Sequence, residues 1–317
     1  MRASRQTTRH AFMVRPGAFG PNEQTAESNA FQHAADRPLD EIHARALAEF
    51  DAMTMTLRDA GVAPIVFEDS DEPVTPDAVF PNNWISCHED GRVFLFPMEA
   101  HDRRRERRLD IVEALSTEWG FRVSEIVDLS PLEDGGLYLE GTGSMVLDRV
   151  NRVVYAALSS RTHMDALAEF AQRADYEITA FEAVDDQNRP VYHTNVMMAL
   201  GSTFAVLCAA AIADARKRAA VVDKLAASGR DVVDITIEQM RRFVGNMLEL
   251  ESAAGEPVVA LSQSAHESLT DGQRRTIADR ASLVPIDVGT IERFGGGSVR
   301  CMLAEVFLPG AEAGAPA

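Results

Sequence analysis

Cysteine is scarce in this 317-residue chain. Its three residues, Cys87, Cys208 and Cys301, are too few and too widely spaced for a disulfide framework or a Cys-x-x-Cys zinc site, and an odd number leaves at least one free thiol. Basic side chains are also in deficit. With 31 Lys and Arg against 49 Asp and Glu the formal net charge is −18, which excludes a general nucleic-acid binder, because neutralising phosphates takes a basic surface. No apolar run reaches the roughly 20 residues that cross a bilayer; stretches such as 204–213 fall well short, and the N-terminal MRASRQTTRH has no hydrophobic signal region. A cytoplasmic protein is the expectation. No Pro/Ser-rich linker or shift of composition marks a domain boundary. What is present, 46% apolar and 25% charged residues, is the composition of an ordinary globular protein able to bury a large core.

A repeat organises the chain. Helix-like segments run through a short turn into a strand in LRDAGVAPIVFED (57–69), STEWGFRVSEIVDL (116–129), AQRADYEITAFEAV (171–184), LAASGRDVVDITI (225–237) and ADRASLVPIDV (278–288). The strands are predicted to begin near 62, 121, 176, 231 and 283, in steps of 52 to 59 residues. In the first unit Ile42, Ala46, Phe50, Met53 and Leu57 put an apolar stripe on one helix face, and Gly61 stops the helix. Residues 62–67 then read as a mostly apolar buried strand.

Each unit also carries two apolar runs around a polar or glycine-containing turn, the pattern of a β-hairpin. These fall at 83–96, 144–158, 195–208 and 246–262, and the last, 299–307, pairs with the N-terminal 12–16 to close a circle. The fold expected is therefore α/β: one domain over residues 1–309, built as a five-bladed ring of helix, strand and hairpin, with a frayed tail of small residues at 310–317.

In such a ring the residues opening equivalent hairpins converge on the common axis. Those positions are held by Asn83, Glu140, His193, Asn246 and Cys301. A thiol, an imidazole and a carboxylate in matching places of three repeats form a catalytic constellation: the thiol attacks when ionised, the histidine moves protons, and the carboxylate either binds a cationic reacting group or orients the imidazole. The run 295–297 of glycines before Cys301 lets backbone approach a ligand closely, although a flexible connection would look the same. Cys87 and Cys208, inside apolar runs, read as small buried residues, and the other histidines read as core or surface groups. Gly141 and Gly143 lack the third glycine and the lysine of a phosphate loop. The basic run 101–110 reads as the solvated face of a helix.

Five ordered stretches, MVRP (13–16), DAVFPNNW (77–84), LEGTGSMVLD (139–148), YHTNVMM (192–198) and GGGSVRCM (295–302), resemble the pentein or guanidino-group-modifying superfamily of arginine deiminases, dimethylargininases and amidinotransferases. Within it, residues 13–32, PNNW and ALSQSAHESL (260–269) look most like the citrulline utilisation hydrolases. The resemblance implies a five-fold pseudosymmetric α/β propeller and a Cys-His-Glu mechanism without metal or organic cofactor. Cys301 would attack the central carbon of a guanidino or ureido group, His193 would protonate the departing amine and then activate water, and Glu140 would bind the nitrogens of the reacting group. Asn83 and Asn195 fall where many deiminases place aspartates. An amide can donate to the oxygen of a neutral ureido group, which favours citrulline over arginine. Asp77 and Arg15 are expected at the substrate, while Arg103, Arg104 and Arg92 are candidates for gripping its carboxylate.

The partner expected is a small citrulline or arginine-like amino acid, with neither nucleic acid nor membrane; a homo-oligomer is left open. Hydrolysis of citrulline to ornithine, ammonia and carbon dioxide leads. Arginine or methylarginine deimination, amidino transfer and, from another class, a non-catalytic propeller that binds a partner are the alternatives.

Overall fold

The computed structural model describes residues 4–70 and 72–310, so all of the expected frayed tail except Gly310 lies outside the described residues. Its strands are β1 (Ala11–Arg15), β2 (Ile65–Glu68), β3 (Ile85–Cys87), β4 (Arg92–Leu95), β5 (Glu125–Asp128), β6 (Val146–Asp148), β7 (Val153–Leu158), β8 (Glu177–Glu182), β9 (Met198–Leu200), β10 (Phe204–Leu207), β11 (Asp231–Asp234), β12 (Leu248–Glu251), β13 (Pro257–Ser262), β14 (Ser282–Ile286) and β15 (Ala304–Glu305). They form five three-stranded sheets, β15-β1-β2, β3-β4-β5, β6-β7-β8, β9-β10-β11 and β12-β13-β14. In each, the middle strand pairs antiparallel with the first and parallel with the third. Parallel neighbours need a long crossover, and a helix supplies it: Leu39–Asp59, Leu109–Thr117, Met164–Ala174, Ala215–Ala227 and Asp271–Ala278.

Packing follows from the sequence pattern. The stripe Ile42, Ala46, Phe50, Met53 and Leu57 is wholly buried in the first crossover helix, each large side chain worth about 1.5–3 kcal/mol relative to exposure. Gly61 takes φ +79° just past the helix end, a left-handed turn that a Cβ would disfavour. β2 opens at Ile65, three residues later than the pattern predicts, and only its first residue is fully buried; Pro64 has no N–H to give to a ladder and holds the strand start behind it.

The ring closes through its ends. β15 packs beside β3, β6 beside β9, and β9 beside β12. Unit five meets unit one where the Glu251 N–H donates to the Thr8 carbonyl at 3.1 Å, and β1 joins β15 through Ala11 opposite Glu305. The first strands of the sheets thus surround the axis. Among the described residues no helix is long and apolar enough to cross a membrane.

Candidate active site

Just before each inner strand the chain makes a short turn, and the five chemistry-bearing positions sit on these turns rather than on the strands. Asn83 ends a 3-10 turn, Pro81–Asn83, ahead of β3; Glu140 and His193 precede the one-turn helices Gly141–Ser144 and Thr194–Met197; Asn246 and Cys301 lie in the turns before β12 and β15. All five are buried.

The turns are stitched to one another. Thr194 Oγ1 donates to the Ser144 carbonyl and accepts from Ala157 N at 2.7 Å. Ser144 Oγ accepts from Glu140 N at 2.9 Å and donates to the Arg161 carbonyl at 2.8 Å. Gly141 and Gly143 make the contact possible: a Cβ on Gly141 would stand 2.3 Å from the Asn82 carbonyl oxygen, and one on Gly143 would stand 2.4 Å from Asn83 Nδ2 and 2.7 Å from His193 Nδ1. Gly141 admits the neighbouring backbone and Gly143 the neighbouring side chains.

A small pocket opens at this junction, with Cys301, His193, Asn83, Asp77, Arg103 and Arg161 in its wall. Glu140 stands behind the imidazole. Its Oε2 is 2.9 Å from His193 Nε2, and its Oε1 accepts the Glu99 N–H at 3.1 Å. Arg161 and Arg103 approach Oε2 at 3.5 and 3.6 Å. Burial pushes the Glu140 carboxyl up, but Arg161, the histidine and Arg103 together outweigh it and hold the group below the usual carboxylate range. Burial lowers the His193 imidazole to about 4, against the pull of Glu140. The pair is therefore a carboxylate and a neutral imidazole whose Nε2–H is donated, which leaves Nδ1 as the ring nitrogen available for proton transfer. Both oxygens of the carboxylate are thus engaged, Oε2 by His193 and Oε1 by the Glu99 N–H.

At the sulfur, Asn195 Nδ2 lies 3.4 Å and Asn246 Nδ2 3.2 Å away. Asn195 Oδ1 is buried without a partner among the described residues. Asn83 accepts from Arg103 Nη1 at 2.9 Å and donates to Asn82 Oδ1 at 3.1 Å. Asp77 accepts from Asn22 Nδ2 at 2.8 Å through Oδ2, while its Oδ1 is buried and unpartnered among the described residues; burial pushes its carboxyl up, opposed by Arg103.

Two expectations are corrected. Arg15 is not at the cavity: its guanidinium is 30% exposed on the rim of β1, paired with Asp51 at 2.8 Å and Glu68 at 3.6 Å. The basic run is not a solvated face, because Arg103 and Glu106 are buried and joined by two 2.9 Å bonds, and Arg107 is clamped to Glu133. Of the three arginines considered for the substrate carboxylate only Arg103 reaches the cavity. Arg104 bonds the Met98 carbonyl, and Arg92 pairs with Asp90 at the surface.

The sequence reading missed Arg161. It binds Ser28 Oγ at 2.8 Å and the Thr25 carbonyl at 3.3 Å, so it fastens the segment between β1 and the first crossover helix over the cavity. That segment, inside the quoted 13–32 stretch, supplies Thr25 and Asn29 to the wall. Asn29 donates to the carbonyls of Gly295 and Gly296 at 3.3 Å each, and the Tyr192 hydroxyl donates to Gly296 as well. A Cβ on Gly296 would come within 2.5 Å of Asn29, so the glycine run is a packed junction rather than a loose connection. Among the described residues no group of three or more His, Cys, Asp or Glu could hold a metal ion.

A family described as "N,N dimethylarginine dimethylhydrolase, eukaryotic" matches residues 15–308. The chain belongs to this dimethylarginine dimethylhydrolase family. With it comes the pentein superfamily of guanidino-modifying enzymes. No curated protein sequence matches closely enough to count.

Solved structures share the family's fold. The substrate-bound N-terminal domain of ArgZ, an arginine dihydrolase from the ornithine-ammonia cycle in cyanobacteria, is 16% identical with a TM-score of 0.70 over 94% of this chain and 99% of that one. AgrE in a ternary complex with ornithine and NAD+ is 16% identical, TM-score 0.73, over 96% of this chain and 40% of that one. A dimethylarginine dimethylaminohydrolase adduct with 4-chloro-2-hydroxymethylpyridine is 13% identical, TM-score 0.62, over 93% and 98%. The chain spans about two fifths of full-length ArgZ, 41% of its length.

Proposed function

We propose that this protein hydrolyses the ureido group of citrulline, giving ornithine, ammonia and carbon dioxide through a covalent intermediate on Cys301. The observation that carries the substrate choice is the chemistry around the sulfur: amides of Asn195 and Asn246 touch it, Asn83 lines the cavity, and the Glu140 carboxylate is already occupied by His193, which leaves Asp77 as the carboxylate in the wall. A neutral ureido carbonyl needs N–H donors, which amides supply, whereas a guanidinium with only donors calls for free carboxylates. The cavity's charges suit the other end of an amino acid. Arg161 and Arg103 meet an α-carboxylate, and the unpartnered oxygen of Asp77 meets an α-ammonium.

Chemistry then follows in balanced steps. The thiol proton passes to His193 Nδ1 as sulfur bonds to the ureido carbon. The resulting imidazolium, held by Glu140, gives its proton to the substrate's side-chain nitrogen as that C–N bond breaks and ornithine leaves. A carbamoyl thioester remains. Water, deprotonated by His193, adds to it; the C–S bond breaks, the thiol recovers its proton, and the carbamate released decomposes to ammonia and carbon dioxide.

A guanidino substrate is the second reading, favoured by the family to which the chain belongs. Ammonia and ornithine release from citrulline and arginine, and methylamine release from dimethylarginine, are assayed side by side. Ornithine from citrulline at the highest kcat/KM supports the proposal; a clear preference for either guanidino substrate defeats it. Cys301→Ala should abolish turnover and leave melting nearly unchanged, and a variant that keeps activity rejects the mechanism.

A further inference from the structure

Asn246 fills the matching place in the fourth unit, and none of the bond-making or bond-breaking steps outlined above uses it. Yet it has no exposed surface, and each of its polar atoms has a fixed partner. Oδ1 accepts the Arg300 N–H at 3.1 Å. Nδ2 donates to the Asn195 carbonyl at 2.9 Å and stands 3.2 Å from Cys301 Sγ, nearer than Asn195 Nδ2 at 3.4 Å. Such bonding settles which amide atom is which: a flipped side chain would set its oxygen against a carbonyl oxygen and its nitrogen against an N–H. One amide hydrogen is thereby spent on backbone, and the other is aimed at sulfur.

We infer that Asn246 is a catalytic residue whose amide N–H stabilises the Cys301 thiolate and locates its attacking lone pair. The inference rests on Cys301 being the nucleophile. A thiolate buried at 3% exposure needs donors to replace water. The charged and titratable groups facing it across the cavity are His193, Tyr192, Asp77, Arg103 and Arg161. Both guanidiniums are already drawn to carboxylates, Arg103 to Glu106 at 2.9 Å and Arg161 to Glu99 and Glu140 at 3.5 Å. Arg300, beside the nucleophile in sequence, turns away to pair with Glu305 at 2.8 Å. An amide donor is neutral. It favours the anion over the thiol without adding a cation that would repel the imidazolium formed later on His193.

The test follows the pH dependence of Cys301 alkylation by iodoacetamide in the wild type, N246A and N246D. N246D keeps the acceptor for Arg300 and the side-chain shape but replaces the donor with a carboxylate. At pH 7, alkylation should slow about tenfold in N246A and further in N246D, with the midpoint of the rate profile displaced upward by about one pH unit or more. kcat should fall in parallel. A merely structural role would lower the melting temperature and leave that midpoint in place, so folded variants with the wild-type profile overturn the proposal. A readout free of variants at this site comes from the 15N-labelled wild type: the Asn246 side-chain amide resonances should move as Cys301 ionises and when it is alkylated, and should be unresponsive in Cys301→Ala. Resonances indifferent to the thiol overturn the proposal equally. Active Cys301→Ala, by contrast, would reject the nucleophile itself.

Discussion

Glu140 shows how much one side chain depends on its neighbours. With no exposed surface it is the ionised partner of a neutral imidazole, and it stays ionised because Arg161 and Arg103 stand within 3.6 Å. Glu140→Gln keeps an oxygen to accept the His193 N–H but removes the charge that stabilises an imidazolium. kcat should drop about 10²–10⁴-fold, the usual worth of assisted proton transfer, with the circular dichroism of the wild type retained; near-normal kcat in a folded variant would deny the orienting role. The convergence of Glu140, His193 and Cys301 was legible because three reactive side chains share one register in the repeat. Arg161 was not. It carries no motif of its own, and its partners, Glu140 as well as Ser28 and Thr25 more than 130 residues away in the chain, are brought to it only by the fold. Arg15 misled for the opposite reason: it stands in a matching stretch, but as the last residue of β1, after four buried ones, it lies at the rim and reaches Asp51.

The short helical turns before the inner strands are where element geometry controls the chemistry. Gly143 lies in Gly141–Ser144 with His193 and Asn83 pressed against it. Gly143→Ala would drive a methyl group toward both, and since the backbone φ of Gly143 is not in the left-handed region, the strain is one of space alone. Displacing the ring by even a fraction of an ångström should reduce kcat about 10²-fold, and the overpacking should cost about 1–3 kcal/mol in urea denaturation. Wild-type kcat in this variant would show that the ring tolerates the shift. The hairpins and crossover helices were readable from turn spacing and 3.6-residue periodicity, as in the stripe from Ile42 to Leu57. Strand starts were less so. β5 opens at Glu125, not near 121, because the intervening backbone is taken elsewhere: Phe121 N–H caps the preceding helix at Leu115, Arg122 N–H bonds Pro309 at 2.7 Å, and Ser124 N–H bonds Gly91 at 2.8 Å. The basic run was misread at this scale too, since its arginines meet acidic partners that a helical wheel of 101–110 does not display, such as Glu133.

A ring of five small sheets has no single core. Its buried side chains divide among several clusters between neighbouring units, and polar groups caught in those seams respond to pH together with the site. His88 is the clearest case. Its ring is buried against Phe94 at 4.9 Å, its Nε2 bonds Ser86 Oγ at 2.9 Å, and burial, aided by Arg149, holds its imidazole well below the ordinary 6.5. Below that ordinary value the unfolded chain takes up a proton that the folded state refuses, so stability falls with pH by about 1.4 kcal/mol per pH unit for such a group. The buried carboxyls of Glu49, Glu249 and Glu292 are shifted upward and act in the opposite sense, because there the folded state keeps a proton the unfolded chain has lost. A raw melting profile mixes both, whereas the difference between the wild type and His88→Gln isolates the imidazole. Between pH 7.5 and 5.5 the wild type should lose more melting temperature than the variant, by a few degrees at about 2–4 °C per kcal/mol. Parallel curves would mean that the seam around His88 admits the proton, and with it water, in the folded ring.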